Sequence, residues 1–257
     1  MNRIENLFKN KPSDILTIYF TAGYPNLNDT EDIILELDKA GVDLIEIGMP
    51  YSDPLADGPV IQASSTESLK NGMNLDLLFE QLKDIRSKIQ VPLVLMGYYN
   101  QVLQYGLEPF CKKASEVGVD GLILPDLPVD EFNELCAPIF KRYGLTCTFL
   151  VTPSSTDERI REIDAASSGF LYAVSSHSIT GGNSANNLSE YGSRLAALDL
   201  KNPIQVGFGI HDATSFQEAI AIANGGIIGS AFIKAISKEG ELGQNISSFI
   251  QSIRSKN

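Results

Sequence analysis

Short apolar runs recur eight times along this chain, with helix-patterned segments between them. They are ILTIYF (15–20), DLIEIG (43–48), PLVLMGY (92–98), GLILP (121–125), TCTFLV (146–151), GFLYAVS (169–175), PIQVGFG (203–209) and GGIIG (225–229). None alternates strictly between apolar and polar residues, which is the pattern of parallel strands buried on both faces. In DEFNELCAPIFKRY, residues Phe132, Leu135, Cys136, Ile139 and Phe140 follow the i, i+3, i+4 spacing of one buried helical stripe. Ser155 and Glu158 form an S-x-x-E capping box that predicts the start of the helix after the fifth strand. Gly41, Gly118 and Gly144 stand where helices should end in the left-handed conformation. The opening MNRIENLFKNKPSD lacks the apolar stretch of a signal peptide and reads as a short helix ahead of the first strand.

Eight strand–helix alternations in 257 residues fit a closed (β/α)8 barrel of the TIM type better than an open doubly wound sheet. No G-x-G-x-x-G follows the first strand, as a dinucleotide-binding sheet would require. No linker or low-complexity tract divides the chain, so residues 1–257 are expected to form a single barrel domain with an extra N-terminal helix.

Lys and Arg total 20 against 32 acidic residues, a formal charge of −12. Nucleic acid and anionic membranes both demand a basic footprint, so neither is an expected partner. A small phosphorylated ligand stays open, because backbone amides bind phosphate without basic side chains. No apolar run approaches the roughly 18 residues of a membrane span. Cys111, Cys136 and Cys147 are odd in number and have no C-x-x-C spacing, which predicts buried, reduced thiols in a cytoplasmic protein.

The unusual residue in the strand pattern is Glu46, a carboxylate inside DLIEIG. Asp57 follows in the turn-forming SDPLADGP segment, at the barrel end where function gathers. One reading pairs Glu46 with a basic residue and makes Asp57 a helix cap. The other assigns both to proton transfer in one pocket. Against the first, no Lys or Arg occurs between Leu44 and Gln62.

Glycines gather near the last strands, in SITGGNS (178–184), GFGI (207–210) and GGIIGSAF (225–232), with Gly229 and Ser230 expected to open a short helix. In barrels this quadrant commonly holds a phosphate on backbone N–H groups. The loop 177–187, HSITGGNSANN, reads either as a plain connection or as a lid over substrate. His177 and His211 share no metal-ligand spacing and read as surface loop residues. No strand end supplies a Schiff-base lysine, Lys234 falling in a helix beyond the eighth strand, and no metal-binding cluster is evident. Acid–base chemistry on a phosphorylated substrate remains.

IEIGMPYSDPLADGPVIQ, together with TAGYP (21–25), MGYYN (96–100), SITGG and GFGI, resembles the tryptophan synthase alpha chain family from the first helix to the last. The resemblance implies a lyase of tryptophan biosynthesis that cleaves indole-3-glycerol phosphate to indole and glyceraldehyde 3-phosphate. It implies Glu46 and Asp57 as catalytic residues. As substrate-binding residues it implies Tyr98, Tyr172, Thr180, Gly181, Phe208, Gly209, Gly229 and Ser230. It also implies no cofactor in this chain, a pyridoxal-phosphate beta chain as partner, and an alpha2–beta2 heterotetramer. The family often carries an arginine after the sixth strand, as in S-R-x-G-V-T-G, where this chain reads SSHSITG with Ser176. A stand-alone lyase with the same motifs and a non-catalytic ligand-binding subunit are the competing readings.

Overall fold

The computed structural model of the chain describes residues 2–174, 184–207 and 209–255. Its strands are β1 (Ile15–Thr21), β2 (Leu44–Gly48), β3 (Leu93–Met96), β4 (Gly121–Ile123), β5 (Thr146–Thr148), β6 (Leu150–Val151), β7 (Leu171–Val174), β8 (Ile204–Gly207) and β9 (Gly225–Ile228). All pair in parallel, in the order β5-β4-β3-β2-β1-β9-β8-β7-β6. Only Phe149 separates β5 from β6, so the two share one barrel position and the ring closes with eight positions, as the sequence predicts. Several strands end short of their apolar runs, which leaves Tyr98 beyond β3 and Gly209 beyond β8.

Successive strand residues alternate between two cores, although nearly all of them are buried. On β1, Leu16, Ile18 and Phe20 join the layer between sheet and helices, while Ile15 and Tyr19 join the barrel interior. The buried polar strand residues fall on inward positions, among them Thr17, Glu46, Thr146, Thr148 and Gln205. Burial on both faces hides the period of two from a hydrophobicity reading.

The opening helix, Arg3–Asn10, stoppers the N-terminal end of the barrel. Asn2 caps it through Ile4 N at 2.9 Å, and the Asn2 amide donates to the carbonyls of Asp120 and Gly144. Ile4 and Phe8 are buried among the interior residues, with Phe8 5.9 Å from the Phe170 ring. Burial of each such side chain is worth roughly 1.5–3 kcal/mol.

The helix ends at Gly41, Gly118 and Gly144 take φ values of 78°, 85° and 68°, as expected. The three cysteines are free and buried, and burial pushes the Cys111 thiol up to about 12. Three local expectations need correction. The cap of helix Asp157–Ala166 is Thr156, which accepts from Arg159 N; the Ser155 hydroxyl turns back to Thr152 instead. Leu135 leaves the predicted stripe and is 56% exposed. A π-helical turn over Phe132–Cys136 widens the winding there, so Phe132, Cys136 and Phe140 stay inward while the i+3 residue swings out. Residues 184–187 of the predicted loop form the start of helix Ser184–Ala196, and 177–183 lie outside the described residues.

Candidate active site

Glu46 reaches the barrel interior because β2 turns Leu44, Glu46 and Gly48 inward. Its register partner on β1 is Tyr19. A Cβ at Gly48 would stand 2.1 Å from the Tyr19 hydroxyl, and one at Gly207 would stand 2.1 Å from that of Tyr172. Glycine at these two positions is what lets both phenol rings lie across the barrel beside Glu46. Asp57 comes from the loop after β2, ahead of helix Pro59–Lys70. It does not cap that helix, whose N-cap is Gly58 without a side-chain bond.

A cavity of about 450 Å³ opens at the C-terminal ends of the strands. Tyr19, Glu46 and Tyr172 line it from β1, β2 and β7, and Asp57 from the loop after β2. Gly209, Gly229, Ser230 and Lys234 line it from the β8–β9 side, with Ile61, Met96, Ile227 and Phe249 between. Gly229 and Ser230 open helix Ser230–Ile236 as the sequence predicts. His211 is exposed at the rim, with Nδ1 2.7 Å from the Gly209 carbonyl oxygen.

The two carboxyls are treated differently. Glu46 is 1% exposed, and its Oε2 has no hydrogen-bond partner among the described residues. Burial, and after it the nearby charge of Asp57, pushes its carboxyl up to about 8. Asp57 is half-buried and accepts from the Tyr98 hydroxyl at 3.1 Å. Burial raises its pKa, and the Tyr98 bond works in the opposite direction. No described Lys or Arg forms an ion pair with either acid. At neutral pH the pair therefore offers one carboxylic acid and one wetter acid closer to ionisation.

Among the residues singled out in the sequence, Glu46, Asp57, Tyr172, Gly209, Gly229 and Ser230 meet at this cavity. Tyr98 stands behind Asp57 beside a void of about 10 Å³ rather than on the main wall. Thr180, Gly181 and Phe208, like Ser176 and His177, lie outside the described residues. Tyr19, Ile61, Met96 and Lys234 were missed. Tyr19 alone carried a signal, since it is the polar-tipped residue of an apolar strand and shares parity with the inward Thr17 and Thr21.

Two unlike carboxyls in one cavity at the C-terminal mouth of a parallel barrel mark the chain as a barrel enzyme. Comparison with known proteins narrows the class to one family. The family model described as "Tryptophan synthase alpha chain" matches residues 6–255. The tryptophan synthase alpha chain of Christiangramia forsetii is 54% identical over 256 residues, covering 99% of each chain. That of Flavobacterium johnsoniae is 55% identical over 256 residues, covering 99% of this chain and 100% of the relative. The crystal structure of tryptophan synthase subunit alpha from Legionella pneumophila superposes with a TM-score of 0.90 at 32% identity, covering 99% of this chain and 97% of that one. An aminoacrylate-bound tryptophan synthase from M. tuberculosis gives 0.87 at 30% identity, with 98% of both chains covered. The chain belongs to the tryptophan synthase alpha chain family. Its activity is the family's carbon–carbon lyase reaction, the cleavage of indole-3-glycerol phosphate in tryptophan biosynthesis.

Proposed function

We propose that Glu46 moves the protons of this retro-aldol cleavage and that Asp57 holds the indole ring through its N–H. The carrying observation is a buried carboxyl, with one oxygen left unpaired among the described residues, beside a half-buried aspartate in one cavity. Glu46, protonated at neutral pH, gives its proton to indole C3. The ring then carries positive charge, which Asp57 as carboxylate stabilises by accepting from the indole N–H. Glu46, now ionised, takes the proton of the glycerol hydroxyl as the C–C bond breaks. The bonding pair returns to the ring, which leaves as neutral indole, and the hydroxyl carbon becomes the aldehyde. The glutamic acid ends each turnover as it began, protonated.

The phosphate end of the substrate is assigned to Gly209, Gly229 and Ser230, with Gly181 and Thr180 added by resemblance. The support is the helix start at Gly229–Ser230 facing the carboxyls across the cavity. By resemblance Phe208 and Tyr98 stand beside the indole and Tyr172 is an active-site tyrosine, and Tyr98 also acts through Asp57.

The partner in this reading is a beta chain carrying pyridoxal phosphate, in an alpha2–beta2 assembly, while this chain holds no cofactor of its own. An apolar groove beside the Asp57 loop supports a docking surface. Leu69, Met73, Leu75 and Tyr105 line it. The flanking loop and helix expose Leu55 (92%) and Leu103 (49%). We also read the chain as one domain, since a single sheet spans residues 15–228. A cytoplasmic location agrees with its biosynthetic role, and no described helix is long and apolar enough to cross a membrane.

Incubation of the purified chain with indole-3-glycerol phosphate, with indole release as the readout, tests the assignment. Glu46→Gln and Asp57→Asn should bind substrate and turn it over far more slowly. A Glu46→Gln protein that keeps most of its kcat rules out the shuttle.

A further inference from the structure

Asp57 sits in a turn-rich loop, and a functional carboxylate in a loop needs something rigid behind it. Tyr98 is part of that support. Its hydroxyl accepts from Ala56 N at 2.8 Å and donates to Asp57 Oδ2 at 3.1 Å, so one oxygen fixes both loop backbone and carboxylate. Tyr98 is held in turn by Tyr51. The two rings stack with centroids 5.0 Å apart and planes 27° from parallel. The Tyr51 hydroxyl accepts from Asn100 Nδ2 at 3.1 Å. Gln101 clamps both tyrosine segments, accepting from Tyr98 N at 3.0 Å and donating to the Pro50 carbonyl at 2.9 Å. Tyr51 itself lines the apolar groove rather than the catalytic cavity.

We propose that Tyr51 is a positioning residue for the cleavage reaction, fixing Asp57 through its stack on Tyr98. The inference rests on the role assigned to Asp57 above. An aromatic pair of this geometry is favourable beyond its burial, enough to bias one Tyr98 rotamer. Without Tyr51, one face of Tyr98 opens onto the groove, and its ring swings away from the carboxylate. The groups that face Asp57 are Glu46 on β2, Tyr19 on β1, Tyr172 on β7 and Tyr98. Of these, Tyr98 is the group that favours the ionised form of Asp57, so its departure moves the acid limb of the rate profile to higher pH.

The experiment is the pH profile of kcat for full-length Tyr51→Ala, Tyr51→Phe, Tyr98→Phe and the double variant Tyr51→Ala/Tyr98→Phe. Tyr51→Ala should lower kcat about 10-fold and shift the acid limb upward, since misplacing a reacting group by about 1 Å costs up to 10²-fold. Tyr51→Phe, which keeps the ring, should recover most of the lost rate. The double variant should be no slower than Tyr98→Phe alone, because both changes break the same link. A Tyr51→Ala protein with an unmoved kcat and acid limb overturns the inference, and so do effects that multiply fully in the double variant. If Tyr51→Ala does not fold, Tyr51→Leu carries the same comparison. Full activity in Asp57→Asn would instead overturn the role of Asp57 itself, so the two failures are distinguishable.

Discussion

Asp120 and Glu46 are carboxylic acids buried in the same barrel, 3% and 1% exposed, and their surroundings are opposite. Asp120 stands at the start of β4. It accepts from Arg86 at 2.6 Å, Arg3 at 3.0 Å and Leu93 N at 2.9 Å. Asp43, three residues before Glu46, is likewise paired with Lys11 and Arg254. Among the described residues Glu46 has no cation, and one of its oxygens is an orphan. At the N-terminal end buried charge is compensated and holds the chain together. At the C-terminal end it is left uncompensated, and the cost in stability becomes proton affinity.

The largest expected effect falls on the chemistry. Glu46→Gln should lower kcat by about 10³–10⁴-fold and Asp57→Asn by about 10²–10³-fold, measured as indole release at saturating substrate. Wild-type turnover should also fall as pH rises through about 8, where Glu46 loses its proton, and that limb should vanish in the residual activity of Glu46→Gln. A limb that survives the substitution assigns the titration to another group.

Next comes the opposite end. Asp120→Ala should cost about 3–5 kcal/mol in denaturant unfolding, because it strands Arg86 and the Leu93 amide. A loss below about 1 kcal/mol would mean that water replaces the carboxylate, and the contrast between the two ends would weaken.

Smaller, and opposite in sign, is the stability effect at Glu46. Its folded-state pKa is raised to about 8 from 4.5, so the folded chain keeps a proton that the unfolded chain releases. Wild-type stability therefore declines as pH rises from about 4.5 and levels off above about 8. Glu46→Gln removes that penalty and should be more stable by on the order of 1–3 kcal/mol above pH 8, with the gain vanishing below pH 4.5. Thermal melts across that window would show it, and a pH-independent difference would contradict the buried acid. Smallest of all, Leu103→Glu should leave unfolding within about 0.5 kcal/mol while weakening co-purification with a beta chain.

Much of this contrast was legible in the chain. The eight apolar runs located every described strand, and the absence of Lys and Arg around Glu46 foretold that no described Lys or Arg pairs with it. Residues whose position depends on the winding of a helix were less readable. A π turn moved Leu135 outward, and Thr156 displaced Ser155 as a cap because adjacent hydroxyls compete on nearly equal terms. The cavity walls from Ile61 and Met96 look like ordinary core residues in sequence, since a pocket is defined by what packing leaves empty. Tyr98 was placed beside the substrate, but its bond to Asp57 depends on how a loop folds back, which local patterning does not encode.

Among the described residues, the helix that stoppers the barrel makes the chamber a room with one door. With Ile4 and Phe8 filling the N-terminal end, phosphorylated substrate, indole and aldehyde all pass through the C-terminal mouth. Traffic there has to be ordered in time. Whatever sits at that mouth, whether a loop of this chain or the surface of another protein, controls entry and release together.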